Sequence, residues 1–396
     1  MRVLTFLHSF ELGGVERIAL RLVRAWREAG MDAPLFMGRE DGPLRKDVAQ
    51  DLSWHLPGQP PFSTAGFETL WMILTLPAFI RRVRPDLLFC AGNSYAVVAV
   101  AMKLLLGRNC PPIVAKISND LVRHDLGRIG QFFYGHWLRV QGRLIDHFIG
   151  MERPMAEEIA RAMKIDHRKI AIIANPALSE QQIEDMRSKS SRSRSDVRER
   201  RFVAVGRLVR QKNFEMMLRA FARGSGSGDR LTILGEGPCR ERLQNLAEEL
   251  GLADRISMPG HVSDPAAMLP DFDILLLSSA YEGVPAAILE ALAAGLPIIA
   301  TDCSVSMQSL LKEGKLGQII APGDEDGFAN AIATALPGTQ NAKASLEQAK
   351  RFTIERASLA YRDCFRQKIL QAGLRSPSLG AVCGGRPISS RTMHDN

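Results

Sequence analysis

The stretch SAYEGVPAAILEALAAGLPIIAT, Ser279 to Thr301, decides the fold class of this chain of 396 residues. The apolar run Ile274–Leu277 before it reads as a strand that ends in a loop. Pro285 stands where a helix has its first turn, a place that tolerates the missing N–H. The helix continues through Ala-Ala-Ile-Leu-Glu-Ala-Leu-Ala-Ala and stops at Gly295, a favoured residue for leaving a helix. Pro297 then enters the next strand, Ile298–Ala300. The unit is strand, loop, helix, strand. The loop Gly283, Val284, Pro285 therefore lies just beyond the carboxyl end of a strand and at the start of a helix. That is where doubly wound sheets bind ligands and where the helix dipole favours phosphate.

The same unit recurs on both sides of this stretch. In the first half the strand candidates are Val3–Leu7, Pro34–Met37, Leu87–Cys90, Ile113–Ile117, His147–Gly150 and Ile170–Ala174. In the second half they are Phe202–Val205, Leu231–Leu234, Arg255–Met258, Ile274–Leu277, Ile298–Ala300 and Gln318–Ile320. These are near-continuous apolar runs rather than alternating ones, as parallel strands covered on both faces require. Amphipathic helical patterns separate them, among them Val15–Ala29, Phe214–Ala222, Arg240–Leu250 and Ala286–Ala294. The pattern predicts an α/β protein with two doubly wound, Rossmann-like domains. We expect the first at 1–176, a basic linker or loop at 177–200, the second at 201–371 with its last helix packing back on the first, and a disordered tail at 372–396. The linker rests on Ser188 to Arg201, SKSSRSRSDVRERR, which has no apolar periodicity. No aromatic residue interleaves its charges, so no nucleic-acid partner is expected.

Composition sets the remaining bounds. Hydrophobic residues make up 46% and charged residues 24%, ordinary for a globular chain, and the net charge of +8 attracts anions without selecting among them. The six cysteines form no Cys-x-x-Cys pair, which suits a reducing compartment and argues against a zinc ribbon or a disulfide scaffold. The N-terminus does not read as a signal peptide, so a cytoplasmic location is expected. The segment Phe67–Ile80, followed by Arg81, Arg82 and Arg84, is too short to span a bilayer. It reads either as a buried helix with a basic end or as a helix that touches an anionic membrane surface on the inner face of the cell membrane.

Charged residues cluster around the strand ends. Glu282 precedes the helix after Ile274–Leu277 and can reach a cleft. Glu290 lies within that apolar helix, where a carboxylate is costly unless it has a partner; a ribose diol would be one, and solvent is the alternative. Arg207 and Lys212, five residues apart after Phe202–Val205, can face one cleft. There Arg offers a planar fork to phosphate oxygens and Lys a point charge. Gly13 and Gly14, at the start of a helix, permit close backbone approach of a ligand. Gly206 and Gly235 follow strands in the same way. Gly235-x-Gly237 is not a dinucleotide fingerprint, because Arg240 stands where a third glycine would.

Together these segments resemble the retaining GT-B glycosyltransferases, particularly glycosyltransferase family four. Glu282 and Glu290 resemble the paired-glutamate motif of that family. Val205-Gly206-Arg207-Leu208 with Gln211-Lys212-Asn213 is similar to its basic pair for the donor diphosphate. Leu234-Gly235-Glu236-Gly237-Pro238 resembles its next strand-end loop, and Gly13-Gly14-Val15-Glu16-Arg17 its N-terminal loop beside acceptor and diphosphate. The resemblance implies a GT-B fold, two Rossmann-like domains facing across a cleft. It also implies transfer of a hexosyl unit from a UDP- or GDP-sugar to an acceptor hydroxyl, with retention. Arg207, Lys212 and Glu282 would be catalytic. Gly206, Gly235, Glu282, Gly283, Val284, Pro285 and Glu290 would bind the donor, and Gly13, Gly14 and Asn119 would face acceptor and diphosphate. No cofactor or metal is expected, since the nucleotide-sugar is a substrate and Asp271-x-Asp273 more simply opens a strand. A glycan or lipid-linked acceptor in polysaccharide, lipopolysaccharide or glycolipid assembly follows from the same likeness.

Two departures bear on the acceptor. Many members carry His at the end of the strand Ile113–Ile117, where this chain has Ser118-Asn119-Asp120; Asn119 can hydrogen-bond a hydroxyl but not take a proton. His124 is a substitute candidate. Thr301-Asp302-Cys303-Ser304-Val305-Ser306 stands where relatives have Gly-Gly and an acid. A sugar-nucleotide epimerase of the same fold and a non-catalytic nucleotide-binding partner of an assembly complex are the competing readings. The first would act on donor alone and the second would turn nothing over.

Overall fold

The computed structural model describes residues 1–60, 63–122, 126–190, 199–338 and 341–375. His124, most of the Ser-Arg run and residues 376–396 lie outside the described residues. The strands are β1 (Val3–Leu7), β2 (Leu35–Met37), β3 (Leu87–Cys90), β4 (Ile113–Lys116), β5 (His147–Gly150), β6 (Ile170–Ile172), β7 (Arg201–Val205), β8 (Arg230–Leu234), β9 (Ile256–Gly260), β10 (Ile274–Leu277), β11 (Ile298–Thr301) and β12 (Gln318–Ile320). The helices of the first half are α1 (Gly14–Glu28), α2 (Leu44–Asp47), α3 (Glu68–Val83), α4 (Ala96–Leu106), α5 (Arg128–Leu144) and α6 (Arg153–Met163). Those of the second are α7 (Glu180–Ser190), α8 (Phe214–Gly224), α9 (Arg240–Glu249), α10 (Ala286–Ala294), α11 (Met307–Leu310), α12 (Glu325–Thr334), α13 (Ala342–Ala349) and α14 (Ile354–Arg375).

Every expected strand forms, and each sheet is parallel throughout. The orders are β2-β1-β3-β4-β5-β6 and β12-β11-β10-β7-β8-β9. The central strands β1, β3, β4, β10 and β11 are buried along their whole length. Of the four edge strands β2 is buried while β6, β9 and β12 are only partly covered, and β6 ends two residues earlier than its apolar run. An edge strand has a partner on one side only, so apolar residues alone do not prolong it. Each sheet reverses direction once, between β1 and β3 in the first and between β7 and β10 in the second. At such a switch point the loops at the carboxyl ends of neighbouring strands diverge and leave a crevice.

Two expectations about the linkers require correction. Glu180–Ser190, within the expected linker, is helix α7, which packs on α10 and the 3-10 turn Ala266–Asp271 of the second domain. The last arginines of the basic run are structural: Arg200 pairs with Asp229 and Arg201 with Asp273. The expected tail also begins too early, since α14 runs to Arg375. Tyr361 and Phe365 of α14 pack edge-on against Trp26 of α1, at 5.7 and 5.3 Å between ring centres, so this helix completes the core of the first domain. The two chain crossings between the domains pair with each other, Leu178 beside Thr353, with Ile354 N–H donating to Leu178 C=O at 2.7 Å.

Candidate functional site

The site grows from the second switch point. β7 ends at Val205, and Gly206 turns the chain so that Arg207 stands exposed; among the described residues its guanidinium meets no partner. The following turn, Arg210–Lys212, ends in Asn213 at φ 49°, a left-handed conformation that Asn tolerates better than most residues. That turn is stitched to the loop after β10. Ala280 N–H donates to Gln211 C=O at 2.8 Å, the Gln211 amide to Tyr281 C=O at 2.8 Å, and Ser278 Oγ to Lys212 C=O at 2.8 Å. Lys212 Nζ consequently reaches Glu282 Oε1 at 2.5 Å, and Ser279 Oγ donates to the same oxygen at 2.9 Å. Lys212 and Glu282, seventy residues apart in sequence, thus meet at one sheet edge.

Gly235 also comes to this edge, where its visible role is packing. A Cβ at Gly235 would lie 1.9 Å from Gly206 C=O, so only glycine lets the loops after β7 and β8 touch. Gly283 has a comparable reason. The segment Ser118–Asn119 of the first domain crosses it, and a Cβ there would lie 2.5 Å from Ser118 C=O. Pro285 is the residue before α10 rather than within its first turn.

Glu290 does not point to solvent. α10 is buried except at Ala286, and Glu290 itself is 92% buried (8% exposed). Among the described residues no hydrogen bond reaches its carboxylate. Burial pushes its pKa up, opposed by the positive charges of Arg21 and Arg17. Both arginines belong to α1, so the glutamate of one domain faces cations of the other across the cleft. Arg21 is held by donating to Ala177 C=O at 2.8 Å.

Gly13 and Gly14 open α1 on the opposite wall. The Glu16 carboxylate folds back over Gly13 and accepts from Tyr95 Oη at 2.6 Å. Nothing lies within 4 Å of a Cβ placed on Gly14, so that loop is open to a ligand. Beneath it His8 stacks on Tyr95 at 4.6 Å, and burial, with Arg39 nearby, pushes its pKa down to about 4. This imidazole is neutral at physiological pH.

Sequence reasoning overlooked two groups. Arg21 could have been found, because Arg17, Arg21 and Arg24 line one face of the helix after Gly-Gly. Asp120 carried no such signal. Its backbone N–H donates to Glu282 C=O at 3.1 Å, and one carboxylate oxygen accepts from Val305 N–H at 2.9 Å, so it ties both walls together. Burial, reinforced by the neighbouring Glu158 carboxylate, pushes its pKa up to about 8. Asn119 stands half-buried at the cleft with its side chain unbonded among the described residues. Asn119→Ala should lower the turnover rate without moving the pH–rate profile. A limb near pH 8, if Asp120 sets it, should persist in Asn119→Ala and vanish in Asp120→Asn. Loss of a limb in Asn119→Ala would show instead that the amide site does acid–base work. The sign on stability is determined too. The Asp120 carboxyl is stabilising below its ordinary value of 3.8, and that contribution is lost as the pH rises through about 8.

Other expected chemistry lies elsewhere. Asp273 accepts from Arg201 N–H at 2.8 Å, at the end of β10 away from the site. Among the described residues no three His, Cys, Asp or Glu side chains gather where one ion could be held.

Residues 12–177 match the family Glycosyltransferase Family 4, and residues 185–352 match Glycosyl transferases group 1. The chain is 25% identical over 334 residues to the lipopolysaccharide core biosynthesis glycosyltransferase LpsE of Rhizobium meliloti, covering 83% of this chain and 87% of that one. It is 33% identical over 143 residues to the lipopolysaccharide 1,6-galactosyltransferase of Salmonella typhimurium, which is 35% of this chain and 40% of the relative. Among solved structures, the lipopolysaccharide outer core galactosyltransferase WaaB superposes with a TM-score of 0.67 at 19% identity, over 93% of this chain and all of that one. Anabaena HepE in complex with UDP superposes with a TM-score of 0.71 at 17% identity, over 93% and 100%.

Proposed function

Because the chain belongs to the glycosyl transferases group 1 family, we propose that it moves a hexosyl unit from a UDP- or GDP-sugar to an acceptor hydroxyl, with retention at the anomeric carbon. The observation that carries this reading is the Lys212–Glu282 pair at the switch point between β7 and β10, with Arg207 just past β7 and the buried Glu290 on α10. Two cations and a helix N-terminus suit a diphosphate, and two carboxylates suit hydroxyl donors. UDP and UDP-glucose bound to the structurally similar Anabaena protein support a nucleotide-sugar donor. The lipopolysaccharide enzymes among the relatives support a glycan or lipid-linked acceptor in a cell-surface assembly route.

In this reading the C1–O bond to the diphosphate breaks as the acceptor oxygen bonds to C1 on the same face. The acceptor proton passes to the departing phosphate oxygen. Charge builds on the leaving diphosphate, and Arg207, Lys212 and the start of α10 answer it with preorganised positive potential. Neither His8, neutral and half-buried, nor any other protein base is needed for the proton. Glu282 holds the donor sugar and Glu290 the ribose. Gly13 and Gly14 offer backbone N–H groups from the facing wall.

No metal takes part in this scheme. Chelation with EDTA should leave the rate nearly unchanged, and the product should keep the donor's anomeric configuration by NMR. An inverted product, or an absolute need for manganese, would refute the scheme. A screen of UDP- and GDP-sugars by calorimetry, followed by product analysis, identifies the donor. Turnover of donor without any acceptor would identify an epimerase instead.

A further inference from the structure

Lys116 is a buried charge that the transfer reaction leaves without a task. It ends β4, is 2% exposed, and burial alone pushes its pKa down to about 7. A buried ammonium is costly unless it is paired. Among the described residues no carboxylate pairs with it, and its one hydrogen bond runs from Nζ to Asn175 Oδ1 at 2.9 Å. Asn175 is itself 3% exposed and stands just before Pro176, where the chain leaves the first domain. Its Nδ2 donates to Val284 C=O at 3.1 Å. Two hydrogen bonds in line thus connect the first sheet to the loop before α10 in the second domain.

The order of these two bonds is chemically forced. An Asn amide presents an acceptor on one side and a donor on the other, and half a turn of the amide exchanges them. An ammonium has donors only, so opposite Lys116 only the oxygen fits, and Nδ2 is turned to Val284. A methionine would fill the same space without a buried charge. It would also free the amide to turn its oxygen toward Val284 C=O, where two acceptors would face each other. The carbonyl so held belongs to a loop tied back at each step. Glu282 C=O accepts from Asp120 N–H at 3.1 Å, Gly283 C=O from Ser304 Oγ at 2.7 Å, and Val284 C=O from Asn175. With these carbonyls engaged, the N–H groups at the start of α10, which no side chain caps, are left for a ligand. Two of the ties start from the end of β4, one through Asp120 and one through Lys116 and Asn175.

We propose that Lys116 is a positioning residue: by fixing the Asn175 amide it sets the Val284 carbonyl, and with it the loop Gly283, Val284, Pro285 and the start of α10. Its effect on ligand binding rests on the donor reading of that loop. The test combines hydrogen–deuterium exchange of the full chain with calorimetry against UDP and GDP. Lys116→Met should raise exchange in the segment 282–290 and leave β11 as in the parent. The nucleotide that the parent binds should bind roughly threefold to tenfold more weakly, the worth of one hydrogen bond. Asn175→Asp keeps an acceptor for Lys116 but has no donor for Val284, so it should show both effects with the lysine untouched. Because the lysine acts through the amide, Lys116→Met/Asn175→Ala should bind no more weakly than Asn175→Ala. Losses that multiply in the double variant would overturn the proposal. So would unchanged exchange at 282–290 in Lys116→Met, or an equal rise in β11, which would make the lysine a residue of the fold alone. Raised exchange confined to 282–290, with undiminished affinity for both nucleotides, would uphold the positioning and refute the donor site instead.

Discussion

Arg207→Ala is expected to lower kcat about 30–1000-fold, the consequence of removing roughly 2–4 kcal/mol of transition-state stabilisation, while KM for the donor changes little. The leaving diphosphate carries more charge in the transition state than in the bound donor, so a cation that faces it is worth most there. Arg207 is exposed and, among the described residues, unpartnered, so its loss leaves no buried group stranded and the melting temperature should stay the same. Lys212→Ala should differ in that respect. It removes a comparable charge from the diphosphate and also the 2.5 Å partner of Glu282, whose side chain is only 11% exposed. Breaking a buried ion pair on one side strands the other charge. The lysine variant should therefore lose both rate and thermal stability. Steady-state kinetics with differential scanning calorimetry separates the two residues. A rise in KM at constant kcat for Arg207→Ala would show that the arginine merely holds the donor.

Glu290→Gln should weaken binding of the free nucleotide diphosphate and of the intact donor alike, because both contain the ribose. Two hydrogen bonds from hydroxyls to a carboxylate, at about 1.5–3 kcal/mol each, correspond to a loss on the order of a hundredfold or more. The same substitution should raise the melting temperature of the ligand-free protein. Burial pushes the Glu290 pKa up, so its contribution to folding is fully favourable only at low pH and is lost as the pH rises above the ordinary carboxylate range. A neutral amide escapes that loss, and the stability gap should widen with pH. Opposite effects on binding and on stability mark a group kept for its ligand rather than for the fold. Glu282→Ala should instead weaken the donor and spare the free nucleotide, which has no sugar for it to hold. Calorimetry of each variant with both ligands decides the matter. Equal losses for both glutamates would refute the division of roles, and no change in either affinity or turnover would place the donor site elsewhere.

The linear chain determined the architecture and the place of the charged residues at the switch point of the second sheet. Buried parallel strands are continuous apolar runs, and these runs became the twelve described strands of two sheets, each within one residue of its expected ends except the edge strands β6 and β9, which differ by two at one end. Arg207, Lys212, Glu282 and Glu290 were legible for a related reason. In a doubly wound sheet a residue just past a strand has one place to go, the carboxyl edge, so order along the chain translates into position. The tertiary structure alone decided what faces what. That Glu290 is buried and looks at Arg21, that Asp120 bridges both walls, and that Glu180–Ser190 is a helix rather than a linker all depend on contacts between segments far apart in sequence. Gly235 and Gly283 likewise owe their identity to a neighbouring backbone that no local pattern announces. Helix α3 makes the same point from outside, with Leu70 and Leu74 exposed while Met72 and Leu76 are buried. Periodicity shows that a helix has apolar residues to cover, but only the packed domain shows which of them nothing covers.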